Sequence, residues 1–367
     1  MTPNKASAPC EFDKLLTKHV PHILEKIFLS LDYVSFKVSS EVCHSWHQLL
    51  NSESIQKKAK LLYTEDTSIH ERKLCNSSKE GNTKEVRRLL SSGVNPNCVV
   101  YNNDDELDLV LGRQVHIPII CASENGHKYV VELLVDVGAD VNATEPTSTG
   151  STALHRASFK GHNEVVKLLL DGGADADIAD NCGYTPLILA TQAEEKCVIK
   201  QLLDAGANPD EVGRASFSPL YWAASGGKTD VVKMLLDAGA DPNLVRWSVD
   251  SYTELHNAAK KGHRDVVKLL LEAGAEPNLT NIRGESPLHY AACEGHKDIV
   301  NILLDGGADP NMATMRGKTP LQMALMSLHL DVVKILIGRG VKPNEKHRGQ
   351  IMHLEKWQQE VSKTHHK

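Results

Sequence analysis

The side chains in this sequence best suited to acid–base chemistry or metal binding are its 18 histidines, because imidazole titrates near neutral pH and commonly ligates metals. Seven of them fall into two regular sets, one following leucine and one following glycine: His155, His256 and His289, and His127, His162, His263 and His296. Neighbours within a set are one or more copies of a recurring unit apart, whereas the ligands of one ion all lie about 2 Å from it. We therefore assign these histidines to structural hydrogen bonds and predict no metal site and no cofactor.

One glycine-containing stretch, Gly226-Gly227-Lys228-Thr229, is similar to the end of a phosphate-binding loop. That motif begins with a glycine at the position held here by Trp222, and it follows a strand, which the surrounding sequence does not predict. We interpret the stretch as a turn. No Ser-His-Asp or Cys-His arrangement stands out, so we assign no catalytic residue and predict a protein that is not an enzyme.

Composition and charge limit the class of protein further. The eight cysteines include no Cys-x-x-Cys pair, which favours reduced thiols over a disulfide framework. The first 20 residues lack the apolar segment of a signal peptide, and no apolar run approaches the ~18 residues of a membrane span. The formal net charge of −6 argues against a nucleic-acid surface. These features predict a protein of the cytoplasm or nucleus whose partners are neither nucleic acid nor membrane.

The unit that positions the histidines is clearest between residues 284 and 311. Ser286 is placed to cap a helix N-terminus, and Pro287 suits the first helical position, where no N–H donor is needed. A turn follows at Gly295, and an apolar stripe at helical spacing then leads to Gly307, which ends the second helix. The pattern predicts a helix–turn–helix–loop unit that cannot bury its apolar stripe alone.

This unit recurs with a period near 33 residues. Helix caps fall at Thr152, Thr185, Ser218, Thr253, Ser286 and Thr319, and helix-ending glycines fall at Gly138, Gly173, Gly206, Gly239, Gly274, Gly307 and Gly340. Starts such as Thr185-Pro186-Leu187 and Ser286-Pro287-Leu288-His289 resemble the ankyrin repeat. The resemblance implies an all-α fold in which a solenoid of about eight repeats spans residues 72–344 and binds other proteins.

A different helical pattern precedes the repeats, after a polar lead over residues 1–10 that we expect to be disordered. Residues 11–63 contain an apolar stripe at helical spacing and a connecting helix. The stretch from Val20 to Leu50 is short for an independent core. Either the helix at 54–63 completes this fold, or a partner chain covers its apolar surplus.

The motifs of this segment are Val20-Pro21, Leu24-Glu25-Lys26-Ile27-Phe28, Leu31-Asp32, Ser35-Phe36, Val42-Cys43, Trp46 and Leu49. Together they resemble the F-box, which implies docking onto a Skp-family adaptor of a cullin–RING ubiquitin ligase. An apolar helix face laid into a groove is a recurring mode of recognition. The side chains that the resemblance assigns to adaptor binding are Pro21, Leu24, Ile27, Phe28, Leu31 and Trp46. The alternative is that some of them, Trp46 above all, are internal core.

Two segments depart from the repeat. Residues 98–116 form an acidic insertion that is either a solvated loop tolerated at a repeat junction or a finger that contacts a partner. Residues 345–367 are basic and rich in histidine, and we interpret them as a solvated C-terminal tail with a short helix around 351–361.

In ankyrin repeats, partners usually contact the hairpin tips and the ends of the inner helices. The matching positions here carry aromatic residues and then basic ones: Phe159, Tyr184, Phe217 and Tyr252, followed by Lys260, Lys261, Arg283, Arg316 and Lys318. We call these nine residues the binding strip. Aromatic anchors are favoured in interfaces, and the basic end would hold an acidic or phosphorylated peptide segment. The alternatives are rings that pack along neighbouring hairpins and a solvated charged face.

The sequence thus predicts a substrate-recognition subunit of a Skp–cullin–F-box ubiquitin ligase, which holds an unidentified target protein on its ankyrin repeats. The alternative is an ankyrin scaffold without a ligase role, whose N-terminal helices only cap the repeats.

Overall fold

The computed structural model describes residues 69–101, 115–147, 149–212, 217–244 and 252–364. The F-box-like segment, with all six side chains assigned to adaptor binding, lies outside these ranges. So do residues 102–114 of the acidic insertion. The chain divides into two compact units, residues 1–153 and 154–367.

The described part of the first unit contains four complete helices and one short sheet. Their bounds are α1 Ile69–Glu80, α2 Thr83–Ser91, β1 Val100–Tyr101, β2 Val115–His116, α3 Pro118–Glu124 and α4 Lys128–Asp136. Helix α1 packs on α2 and α3, and α4 packs on α2 and α3. Leu74, Val86 and Leu89 are fully buried in this unit.

The second unit continues the same helix pairs, and the first of its helices begins at the unit boundary. The bounds are α5 Ala153–Lys160, α6 Asn163–Asp171, α7 Pro186–Ala193, α8 Lys196–Asp204, α9 Pro219–Ser225, α10 Thr229–Asp237, α11 Glu254–Lys261, α12 Arg264–Glu272, α13 Pro287–Glu294, α14 Lys297–Asp305, α15 Pro320–Met326, α16 Leu330–Gly338 and α17 Glu345–Thr364. In the described residues the inner helices α7, α9, α11, α13 and α15 pack successively, as do the outer helices α6, α8, α10, α12, α14 and α16.

The predicted caps explain where the inner helices begin. The side chains of Thr185 and Ser218 accept hydrogen bonds from the N–H groups of Ile188 and Tyr221, at 3.3 and 3.0 Å. Each cap satisfies a helix N–H group that would otherwise lack a partner. The helix-ending glycines behave as predicted, since all seven have φ between 87° and 95°.

Histidine supplies a second capping interaction that reaches into the next repeat. Nδ1 of His256 accepts the N–H of Thr253 at 3.2 Å, so the ring proton lies on Nε2, which donates to Glu285 O at 3.0 Å. His289 repeats this arrangement with Ser286 and Lys318. Both rings are buried. The structural role predicted for this histidine set is confirmed at these positions.

The loops between repeats are joined by a row of amide and carboxylate side chains. Each bridge runs from an Asn or Asp side-chain oxygen to a backbone N–H in the following repeat, over 2.7–2.9 Å. The donor and acceptor pairs are Asp140 to Asn97, Asn208 to Asp177, Asp241 to Asp210, Glu276 to Asn243, and Asp309 to Asn278. Backbone groups in these loops are thereby satisfied without regular secondary structure.

The acidic insertion differs at its ends from the predicted 98–116 loop. Val100 pairs with His116, and Tyr101 pairs with Val115, in a two-residue antiparallel sheet. Cys98, Val100 and Val115 are buried. The ends of the insertion therefore belong to the core of the first unit, and the fold is helical with a small sheet rather than purely α.

The C-terminal segment also differs from the predicted solvated tail. Residues 345–364 form one helix, α17, which packs on α15 and α16. His347 and Leu354 are buried, and Nε2 of His347 lies 3.1 Å from Nε2 of Gln322. The sequence reading missed this because the segment is rich in basic and amide residues and its apolar positions are few.

Two turns between paired helices hold a left-handed residue that is not glycine. The equivalent turns at Gly81, Gly126, Gly161, Gly227, Gly262 and Gly295 have φ of 68–81°, and Glu194 and Leu328 adopt φ of 62° and 65° in the same place. A side chain at such a φ is strained.

Relieving this strain should stabilise the protein. We expect Glu194→Gly to raise the free energy of unfolding by roughly 0.5–1 kcal/mol, because the relief exceeds the greater chain entropy of unfolded glycine. The ion pair of exposed Glu194 with half-buried Lys228, at 3.6 Å, contributes little against it because one partner is well solvated. Gly295→Ala is the opposite control, since its Cβ would lie 2.5 Å from Nδ1 of His329. Urea-unfolding midpoints measure both; a lower midpoint for Glu194→Gly contradicts the strain.

The buried histidines predict acid sensitivity. Burial lowers the pKa of His256 to about 4, below its usual value of 6.5, so the folded state favours the neutral ring. Its contribution to stability is present above pH 6.5 and is lost as the pH falls towards 4, by about 3 kcal/mol in total. We expect His256→Gln to reduce the loss of urea-unfolding midpoint between pH 7.5 and 5.

Glutamine is suitable at this position because Gln322 already fills it in the last repeat, where its Oε1 accepts the N–H of Thr319 at 3.2 Å. The control is His353→Gln, at an exposed position of α17. An equal pH response in the two variants would show that His256 does not carry the effect.

Candidate functional site

The aromatic half of the binding strip is partly buried rather than free-standing. Phe217 packs against Trp222 of the helix that follows it, whereas Tyr184 and Tyr252 pack against Trp222 and Tyr290 of the next repeat. Phe159 lies in the last turn of α5, at the end of an inner helix, and it is 48% exposed. The rings therefore pack along neighbouring elements while one side remains at the surface.

Four rings form an aromatic cluster, which we define as Tyr184, Phe217, Tyr221 and Trp222. Trp222 lies at its centre. The ring centroids of Tyr184, Phe217 and Tyr221 are 6.5, 5.6 and 5.8 Å from that of Trp222, all in edge-to-face geometry. Phe217 and Tyr221 stack at 4.5 Å. Such contacts fix ring orientation and add stability beyond the area they bury.

The sequence reading missed Tyr221 and Trp222 as surface residues. Both lie in the first helical turns of α9, where a helical period alone assigns large apolar side chains to the core. The repeat alignment gave no clear signal, since Trp222 aligns with Arg156 and Asn257 but also with Leu189 and Tyr290.

A polar network joins the two following repeats. Oη of Tyr252 lies 2.6 Å from Oη of Tyr290, and Tyr290 donates to the carboxylate of Glu285, which also accepts from Asn281 at 3.0 Å. Partial burial opposes the ionisation of Glu285, but these hydrogen bonds outweigh it and lower the pKa of that carboxyl. Burial, followed by the bond to Glu285, raises the pKa of Tyr290 above its usual range.

The basic residues of the strip lie in different environments. Nζ of Lys260 lies 5.5 Å from the ring centroid of Tyr290, a cation–π contact. Lys261 donates to the backbone and hydroxyl oxygens of Ser225 at 3.0 and 2.7 Å. Arg283 and Arg316 are exposed on successive hairpins, and Lys318 is partly buried. The structure thus brings Lys260 and Lys261 to the aromatic half and leaves the two arginines on neighbouring tips.

A shallow cavity of about 560 Å³, widely open to solvent, lies where the two halves meet. This is within the range of small-ligand and side-chain pockets. Its walls come from three successive inner helices, from the hairpin before them and from the turn after α9. The lining residues are Tyr184, Gln192, Trp222, Ser225, Gly226, Lys228 and Lys261.

The stretch similar to a phosphate loop is a turn, as predicted. Gly227 has φ of 68°, and Lys228 precedes α10. Nζ of Lys228 donates to Thr191 O and Gln192 O at 3.2 and 2.9 Å, at the C-terminal end of α7. Its charge therefore stabilises a helix C-terminus.

Metal and thiol chemistry find little support in the described residues. Within them, no group of three or more His, Cys, Asp or Glu side chains is arranged to hold a metal ion. The six described cysteines are free thiols, and burial raises the pKa of Cys121 to about 12. A thiol so protonated is a poor nucleophile at neutral pH.

Comparison with known proteins agrees with the repeat architecture. No described helix is both long enough and apolar enough to cross a membrane. No curated protein matches the chain. A family model described as ankyrin repeats matches in three copies, over residues 74–180, 172–246 and 255–347, which is more than half of the chain. Ankyrin repeats are protein-interaction modules, so they imply a protein partner. The chain belongs to the ankyrin-repeat family.

Proposed function

We propose that this protein is the substrate-recognition subunit of a Skp–cullin–F-box ubiquitin ligase. The observation that carries the proposal is the F-box resemblance of residues 11–63 placed directly before a set of protein-binding repeats. In this arrangement the first segment docks on the Skp-family adaptor and the cullin core, and the repeats hold the target.

The contribution of such a subunit is proximity. It holds target lysines close to the ligase, which raises the effective concentration of the reactants without bond chemistry of its own. The absence of an assigned catalytic residue suits this role. The same proposal puts the protein in the cytoplasm or nucleus, where it would meet the ligase core.

The target side of the proposal rests on the binding strip. Tyr184 and Phe217 are held by edge-to-face contacts with Trp222, and Lys260 and Lys261 are held by a ring and by Ser225. Side chains fixed in this way lose little conformational entropy on binding. Basic groups beside them favour an acidic partner surface.

Adaptor binding is tested by a double variant. Leu24→Asp with Phe28→Asp should abolish co-purification with a Skp-family adaptor, because two charges would enter an apolar interface. The matched control is Tyr129→Asp with Val137→Asp, at positions 61% and 50% exposed, which should retain the adaptor.

Thermal unfolding of the repeats separates the two readings of the N-terminal segment. An unchanged midpoint with loss of the adaptor supports the ligase subunit. Retention of the adaptor, or unfolding of the repeats by the double variant, contradicts it and favours the scaffold whose N-terminal helices are only a cap.

Target binding is tested by charge reversal on the strip. Lys260, Lys261 and Arg283, all exposed, are changed together to Glu, and partner capture should fall by about tenfold or more. The control reverses Lys167, Lys200 and Lys233, which are exposed on the outer helices α6, α8 and α10. Proximity labelling identifies the proteins lost by the first variant and kept by the second. Equal capture by both would exclude the strip as the target site.

A further inference from the structure

The cavity beside Trp222 has one aromatic wall that is fixed before any ligand binds. Tyr184 and Trp222 line it, and their rings meet at 64°. Phe217 and Tyr221 contact Trp222 at 5.6 and 5.8 Å. An aromatic or large apolar side chain that enters the cavity therefore meets rings that need not reorganise, which favours affinity.

Two lysine side chains also line the cavity, and the ammonium group of each is hydrogen-bonded. Lys228 is held by Thr191 O and Gln192 O, and its Nζ lies 3.6 Å from the exposed carboxylate of Glu194. Lys261 is held by the backbone and hydroxyl oxygens of Ser225. Among the described residues no carboxylate forms an ion pair with Lys261. Since an ammonium group has three donors, Lys261 keeps one N–H for a ligand.

The aromatic rings and the lysines of the cavity together determine which charge a ligand must carry to bind there. Aromatic rings alone would suit a cationic group, but two lysines in the same cavity repel one. An anionic group gains mainly from Lys261, since the charge of Lys228 is already offset by Glu194 and by two helix-end carbonyls, and the rings accommodate an adjacent apolar side chain. The cavity is thus complementary to an aromatic residue with acidic neighbours.

We propose that this cavity is the anchor pocket for an acidic segment of the protein partner, with an aromatic side chain against Trp222 and a flanking carboxylate on Lys261. The inference rests on the proposed target-binding role of the strip and adds the chemistry of the target. Exposed Lys260 and Arg283 follow in the next two repeats and would extend the acidic segment in that direction.

Rings beside lysines also occur in proteins that bind single-stranded nucleic acid. The charges around this cavity favour a protein. Glu194 is exposed beside Lys228, and the Glu285 carboxylate lies in the network that contacts Lys260. Both would repel a continuous phosphate backbone, whereas a peptide can place its carboxylates at intervals between them.

The test uses the full chain and a short fluorescein-labelled peptide with the core Glu-Glu-Phe-Glu-Glu, followed by fluorescence anisotropy. Lys261→Glu should weaken binding by about tenfold. Lys233→Glu, the same change on the outer helix α10, should leave binding within about twofold. Replacing the peptide phenylalanine with alanine should weaken binding by at least about fivefold.

Three results would overturn the inference: no binding below about 1 mM peptide, equal effects of the two lysine variants, or equal competition by an oligothymidylate. Trp222→Phe, which keeps an aromatic ring, serves as a milder variant and should weaken binding without lowering the urea midpoint greatly. If the peptide fails while charge reversal of the strip still removes captured targets, the pocket is wrong and the target-binding role stands. Loss of both effects removes the target-binding role as well.

Discussion

The helix pairs of this chain depend on their neighbours for burial. Leu288, Ala291 and Ala292 of α13 have no exposed surface, and α13 packs between α11 and α15. The small alanines allow the helices to approach closely, so the apolar area of each pair leaves water only when the next pair is present. This dependence sets the register in which the surface residues of one repeat follow those of the last.

The buried polar groups must also find hydrogen-bond partners when the repeats stack in this register. The buried His256 and His289 each join the start of one inner helix to the hairpin of the next repeat, and Asn243 and Asn278 join successive loops. Because an unpaired buried polar group is costly, these bonds penalise any shift between repeats. A binding surface assembled from several repeats gains its rigidity from this double requirement.

The sequence was sufficient for the parts that local chemistry determines. Thr185 and Ser218 cap inner helices where expected, and the seven predicted glycines, from Gly138 to Gly340, end outer helices, because capping and left-handed backbone are properties of single residue types. The resemblance to the ankyrin family followed from the spacing of these same residues.

Other features could not be predicted from the sequence, because they depend on contacts between residues that are distant along the chain. Within residues 345–356 of α17, whose burial is described, His347 and Leu354 are the buried side chains, and so few positions in a basic segment make no periodic signal. The cavity beside Trp222 combines residues from Tyr184 to Lys261, and no short sequence window contains them. Periodicity also assigns Trp222 to the core, since it cannot distinguish a ring that closes the core from one that lines its surface.

The binding strip was predicted partly from the sequence, and its properties depend partly on the three-dimensional surroundings of each residue. Its positions were chosen by register, but the properties of each residue come from its surroundings: Lys260 lies over a ring, Lys261 is held by a serine, and Phe159 is exposed on its own helix. The same register thus provides unlike environments along one surface. A partner that spans several repeats would be selected by the order of these environments.

The short pairing of β1 with β2 has a consequence for how this chain tolerates change. Since Val100 and Val115 enter the core and their strands pair, the two ends of the segment between them stay adjacent whatever that segment contains. The helices on either side would then be indifferent to its length and composition. New sequence can therefore be inserted between β1 and β2, by evolution or in the laboratory, without disturbing the packing of the repeats.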